Sequence, residues 1–232
     1  MGKQSTWLRV AVEGVVIVGS ILLAFGIDAA WDGREQSQRR EALLAAISSD
    51  MARARLEVDR VASFHRTGQN AAADLLNYRG EAPLEEDQAR LVDSLVAATW
   101  GSTASYDAPL GAVESLFGAG GLDLLTDPEL AFELTAFPSL VADLAREQVL
   151  LQSMAIDLHG YLGTQGVDTS LSAVNSFDVP WETGPSNAFG LIGSPLFRGM
   201  VSMIWYRYSN TTNNLDAMRE AITRIESFLA AS

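Results

Sequence analysis

The sequence predicts an all-α protein, with a single N-terminal transmembrane helix followed by an extramembrane helical bundle. Three observations carry that prediction. Residues 10–30, VAVEGVVIVGSILLAFGIDAA, form one apolar stretch with Trp7 and Trp31 just outside its ends. Three later segments repeat apolar residues at alternating spacings of four and three, the period of helices packed side by side. Proline, glycine and aspartate then mark the starts and stops of shorter helices, and no sheet is expected.

Residues 1–9 form a short tail and residues 10–30 the span. From Trp7 to Trp31 a helix rises about 36 Å, which places two aromatic belts around a hydrocarbon core of about 30 Å. Gly14 to Ile27 is uncharged but short for a full span, so Glu13 and Asp28 must complete it. Each lies within about one turn of an interface, where a carboxylate reaches water. The competing reading is a cleaved signal peptide, with Lys3 and Arg9 as its basic region and Ala24-Phe25-Gly26 as its cleavage site. Against it, the apolar run continues past that site without a turn signal.

The expected location is a bacterial inner membrane, with the short N-terminus cytoplasmic and the main domain periplasmic. Lys3, Arg9 and the terminal amine face Arg34, Arg39 and Arg40 across the span. Within the span, Gly19, Ser20, Ala24 and Gly26 are small residues that let another helix approach closely, and Ser20-x-x-x-Ala24 is a small-x-x-x-small pair. The alternative is that small residues are simply common in membrane helices. His, Met and Cys are absent from the span. It therefore carries no usual axial ligand for a haem or pigment.

Residues 31–232 are expected to form one α-helical bundle domain. The chain has 29 acidic and 16 Lys or Arg residues, a net charge of −13, which opposes binding to nucleic acid or anionic lipid through a basic surface. Cysteine is absent, so there is no disulfide framework and no thiolate metal site or nucleophile.

The first domain helix carries its seam at Ile47, Met51, Ala54, Val58, Val61, His65, Gly68, Ala72 and Leu75. The second carries Leu130, Leu134, Phe137, Val141, Leu144, Gln148, Leu151, Ala155, Leu158 and Leu162. The third carries Phe197, Val201, Ile204, Tyr208, Thr211, Leu215, Met218, Ile222, Ile225 and Leu229. Polar residues interrupt every seam, which fits an intramolecular bundle better than an extended coiled coil.

Between the first two, Gly80-Glu81-Ala82-Pro83 ends a helix. Glu85 to Thr99 forms a shorter one with Leu91, Leu95 and Val96 inward, and Leu110 to Phe117 another. Asp127 is positioned to cap the next helix, with Pro128 in its first turn. Pro138 is expected to kink or interrupt that helix. Only Gly33 interrupts good helix formers between Trp31 and Asn77. A helix continuous with the span would project about 70 Å beyond the bilayer.

These residues resemble an uncharacterised family of single-pass bacterial membrane proteins of similar length. The resemblance rests on Glu13, Ile21-Leu22-Leu23-Ala24-Phe25, Ile27-Asp28 and Trp31-Asp32. It rests also on Leu116, Ala119-Gly120-Gly121, Leu122, Leu125, Asp127 and Glu129-Leu130. Gly26 and Ala29-Ala30 depart from the larger or amide residues of relatives. The resemblance implies a membrane-anchored helical domain and supplies no catalytic residue.

The remaining motifs point to no chemistry. His65 and His159 are the only histidines and lack a metal-ligand spacing, so packing roles are expected and no metal or cofactor is assigned. Gly118-Ala119-Gly120-Gly121 follows a helix and lacks a phosphate-loop lysine; it reads as a helix cap and turn. There is no G-x-S-x-G nucleophile elbow. Residues 163–194 form a long irregular stretch in which Phe177, Pro180, Trp181 and Phe189 are candidates for docking onto a partner or back onto the bundle. Asp168, Asp178 and Glu182 match no calcium-loop spacing. Ser209 to Asn214 is a weak helix-forming patch: a kink, a buried polar layer, a subunit contact or a solvated face.

The expected function is a non-enzymatic accessory or scaffolding subunit of an integral membrane complex, with photosynthetic and respiratory assemblies as candidate hosts. Its expected partners are the membrane, other integral membrane subunits and an extramembrane protein subunit, and not nucleic acid. The alternative is a membrane-anchored bundle sensor that binds a small ligand and signals through a partner. A hydrolase is the third class.

Overall fold

The computed structural model describes residues 3–79, 86–107, 110–118, 121–170, 186 and 188–231, with side chains from residue 13 onward except residue 15. Among these residues every regular element is a helix. They are α1 (Lys3–Asn77), α2 (Glu86–Gly101), α3 (Gly111–Gly118), α4 (Pro128–Thr164) and α5 (Pro195–Ala231), with short 3₁₀ turns at Gly121–Leu124 and Ala188–Leu191.

α1 is unbroken from the apolar N-terminal stretch into the domain. It is one helix long and apolar enough to cross a membrane. The domain is a four-armed bundle. α1 runs up, α2 and α3 together run back down as a broken second arm, α4 runs up and α5 runs down. Ion pairs set the antiparallel register: Arg55–Glu226, Asp59–Arg219 and Arg66–Asp216 join α1 to α5. Glu133–Arg224 and Glu147–Arg207 join α4 to α5. Pairs this exposed contribute a few tenths of a kcal/mol each, so they select register more than they stabilise.

Burial of the seams supplies the stability. All nine α1 seam residues from Ile47 to Leu75 are buried. Two clusters stack along the bundle. The lower unites Met51, Leu134, Phe137 and Ile222. The upper unites Leu75, Leu158, Phe197 and Tyr208. Each large aliphatic side chain so buried contributes roughly 1.5–3 kcal/mol.

The helix ends follow their local chemistry. Asp127 accepts from the amides of Glu129 and Leu130, with Pro128 beginning the helix. Arg198 donates to the Leu76 carbonyl at 2.9 Å, satisfying the end of α1 from a different arm. Gly166, at φ 75°, turns the chain out of α4, and the Val167 amide bonds back to the Leu162 carbonyl at 3.1 Å.

One local expectation is corrected and another is narrowed. Leu91 points outward, 51% exposed, and the inward face of α2 is Val92, Asp93, Val96, Ala97 and Thr99. Val96 is buried as expected and Leu95 packs partly buried against the upper cluster; Leu91 alone falls outside the inward face, because three apolar residues in a short amphipathic helix fix its rotation poorly. Of the two outcomes expected at Pro138, a kink or an interruption, the second is excluded: α4 runs through the proline as one helix. The missing amide costs about 3 kcal/mol. Burial of Leu134, Phe137 and Leu144 on either side opposes that cost. The expected Gly80–Pro83 stop lies outside the described residues.

Candidate functional site

Three features distinguish this bundle from a plain helical core: a bare apolar sleeve on α1, a polar layer across the bundle and a pair of buried carboxylates.

The sleeve comes first in the chain. Val16, Ile17, Val18, Ile21, Leu22, Leu23, Phe25, Ile27 and Trp31 are all exposed, with no cover from the other described residues. Gly19, Ser20, Ala24 and Gly26 lie on the same sleeve. The Ser20 hydroxyl is spent on its own helix, donating to the Val16 carbonyl at 2.7 Å. A Cβ added at Gly19, Gly26 or Gly33 would meet nothing within 4 Å.

These three glycines are seven residues apart, and the same interval continues through Arg40 to Ile47, Ala54, Val61, Gly68 and Leu75. Because α1 is unbroken, the glycine row continues into the core-facing seam with a drift of about 20° per heptad, so that Gly33 lies about 40° and Gly19 about 80° in phase from Ile47. Sequence reading picked out the small residues but not this phase. The signal was present: the seam's period of seven, carried backward from Ile47.

The polar layer lies where the second arm stops being helical. Leaving α2, the chain has no regular secondary structure through residues 102–107, and its backbone groups need partners. Interrupting residues of all three seams supply them. Tyr208 Oη donates to the Thr99 carbonyl at 2.9 Å. His65 Nε2 and Gln148 Nε2 both donate to the Ala104 carbonyl, at 2.8 and 3.0 Å, and Gln148 Oε1 accepts from the Tyr106 amide at 3.2 Å. His65 meets Tyr208 edge-on, ring centroids 5.8 Å apart.

Burial holds the His65 pKa below its ordinary value, partly opposed by the bond to Ala104. Its Nδ1 is buried without a partner among the described residues, as is the Tyr106 hydroxyl. Desolvation, with the charge of Glu57, pushes the Tyr106 phenol well above its ordinary range. These groups stay neutral near pH 7, and the layer is a clamp on backbone rather than an acid–base pair.

The two buried carboxylates do similar work. Asp50 Oδ2 accepts from the Ala112 amide at 2.8 Å, fixing the start of α3. Asp93 accepts from the amide and the hydroxyl of Ser186, pinning the chain ahead of α5. Sequence reading singled out neither, because a carboxylate bonding an amide 93 residues away leaves no local motif.

His159 packs against Trp100 at 4.3 Å between ring centroids. No group of three or more potential metal ligands occurs among the described residues. Phe189 sits in the upper cluster, its ring edge-on to Tyr78 at 6.3 Å. Phe177, Pro180 and Trp181 lie outside the described residues, as do Asp178 and Glu182. In the Ser209–Asn214 patch, Thr211 and Thr212 are buried and bond the carbonyls of Arg207 and Tyr208, one turn back. α5 passes through the patch as an unbroken helix containing a buried polar step.

No protein-family model, no curated protein and no solved structure matches this chain.

Proposed function

We propose that this chain is a single-pass, membrane-anchored accessory or scaffolding subunit of an integral membrane complex. One observation carries the reading: the uncovered apolar sleeve from Val16 to Trp31 joins a packed bundle through one unbroken helix. A contiguous apolar surface of that extent requires lipid or neighbouring helices to cover it. The helix joins that covered end rigidly to the domain. The acidic bundle then stands at a fixed height, where an extramembrane subunit can meet it. Resemblance to single-pass bacterial proteins of this length supports the same reading.

The proposed topology puts the short N-terminus in the cytoplasm and the bundle in the periplasm. The chain has no cysteine, so one engineered at exposed Ser227 gives an unambiguous label. A membrane-impermeant maleimide should modify Ser227→Cys in cells whose outer membrane alone is permeable. The function itself is tested by purification in mild detergent from the native membrane. A chain that always migrates alone, with no stoichiometric companion, would overturn it.

The unbroken helix also favours a second reading, a bundle sensor. A ligand-driven shift at the His65 level would reach Trp31 along about 50 Å of continuous helix. A small molecule retained through purification, or one that raises the melting temperature, selects this reading.

A further inference from the structure

An apolar groove of about 410 Å³ runs between α4 and α5 in the upper half of the bundle, walled by Met154 and Asp157 on one side and Leu196, Gly199, Met200 and Met203 on the other. Three of the chain's six methionines meet in it. Leu196 is 60% exposed and Met203 48%. Gly199 leaves the floor open, since a Cβ there would meet nothing within 4 Å. The ion pair Glu147–Arg207, at 3.1 Å, stands below the groove.

Asp157 is the one ionisable residue in this lining. Its carboxylate is exposed and has no ion pair or hydrogen bond among the described residues. Of the charges flanking the groove, Glu147 is paired with Arg207 and Arg198 bonds the Leu76 carbonyl. The groove thus offers an apolar slot with one unneutralised negative charge in its wall. Methionine walls accommodate apolar side chains of differing shape, and Leu196, Met200 and Met203, at i, i+4 and i+7, form one apolar stripe along α5.

Height identifies the source of the occupant. The groove belongs to the cluster containing Ala72 and Leu75 of α1. That level lies roughly 60 Å along the helix from Trp31, beyond the reach of bilayer lipid. We infer that the α4–α5 groove docks an amphipathic helix of an extramembrane protein partner, its apolar face against the methionines and a lysine or arginine opposite Asp157. The inference rests on the accessory-subunit reading and names the surface through which that subunit would be met.

The test is photo-cross-linking in the native membrane, with p-benzoylphenylalanine replacing Met203 in the full chain and, as a control, exposed Leu56 on α1. The Met203 probe should link to a polypeptide, and mass spectrometry should place the link in a cationic amphipathic helix. Asp157→Lys should lower that yield at least about tenfold, as expected if docking weakens by one decade. Its melting temperature should stay unchanged. Leu196→Glu should lower the yield through the apolar wall instead. A link to lipid, to a small molecule or to a second copy of this chain overturns the inference, as does an equal yield from Leu56 or indifference to Asp157→Lys. If a companion subunit still co-purifies when the groove forms no link, the groove assignment fails and the accessory-subunit reading stands. If nothing co-purifies, that reading fails first.

Discussion

Gly68 of α1 lies directly under the ring of Tyr208 on α5, so close that a methyl group on Gly68 would overlap the ring. The contact is where α1 and α5 approach around the polar layer. It lets the tyrosine lie flat enough for its hydroxyl to reach the Thr99 carbonyl at 2.9 Å. Gly68→Ala should therefore destabilise the bundle by about 1–3 kcal/mol through overpacking. Tyr208→Phe should cost about 1 kcal/mol, because the Thr99 carbonyl loses its donor. Combining Gly68→Ala with Tyr208→Leu should cost less than the sum of the two changes, since the clash disappears with the ring. Urea unfolding of the full chain in detergent reads all of these. A Gly68→Ala protein as stable as the parent would show that the helices separate freely at this level.

His65 makes the stability of the bundle depend on pH in a known direction. Its folded pKa is depressed by burial, while in the unfolded chain the imidazole titrates near about 6.5. Above that pH neither state binds the proton and the neutral-His65 contribution is complete. As the pH falls below it, the unfolded chain takes up the proton first and stability drains away until the folded pKa is reached. The loss of stability on acidification from about pH 7.5 to about pH 5 should be smaller in His65→Gln than in the parent, because that variant lacks the titration. Parallel denaturant curves at the two pH values give the comparison. Equal losses in both proteins would remove His65 from the account.

Asp93 should matter out of proportion to its place on a short helix. It is buried and accepts both the amide and the hydroxyl of Ser186. Asp93→Ala leaves two donors unmet and should cost about 1–3 kcal/mol. Asp93→Asn keeps one acceptor oxygen and should cost less. Amide hydrogen exchange at Ser186 should accelerate in Asp93→Ala well before α5 loses protection. Unchanged exchange would mean that the carboxylate holds nothing.

The long arms were legible in the sequence and the broken arm was not, for a physical reason. A seam such as Ile47 to Leu75 repeats its message nine times, so one polar member does not blur its phase. α2 had only a few apolar residues to set its rotation, and Val92, not Leu91, is the one that is buried. The polar interruptions His65, Gln148 and Tyr208 were visible one by one. That they converge on the 99–106 backbone depends on the up-and-down register of four arms, which no single segment encodes. Pro138 shows the reverse case, a strong local signal outvoted by burial on both sides.

The phase between the glycine row and the core seam yields the last prediction. Gly19, Gly26 and Gly33 lie about 80°, 60° and 40° in helical phase from Ile47, so helices packed on that row would lie within about a quarter turn of the side of the sleeve that faces the bundle core. Two alanines inserted after Gly33 rotate the sleeve by about 200° against the bundle, whereas seven rotate it by only about 20° and raise the bundle about 10 Å. The bundle should melt alike in both proteins, because the insertion precedes the first buried seam residue, Ile47. Companion subunits should be lost from the two-residue insertion. If rotation governs assembly, the seven-residue insertion keeps them; if height governs, it loses them as well. Retention of every companion in both variants would show that this phase has no part in assembly.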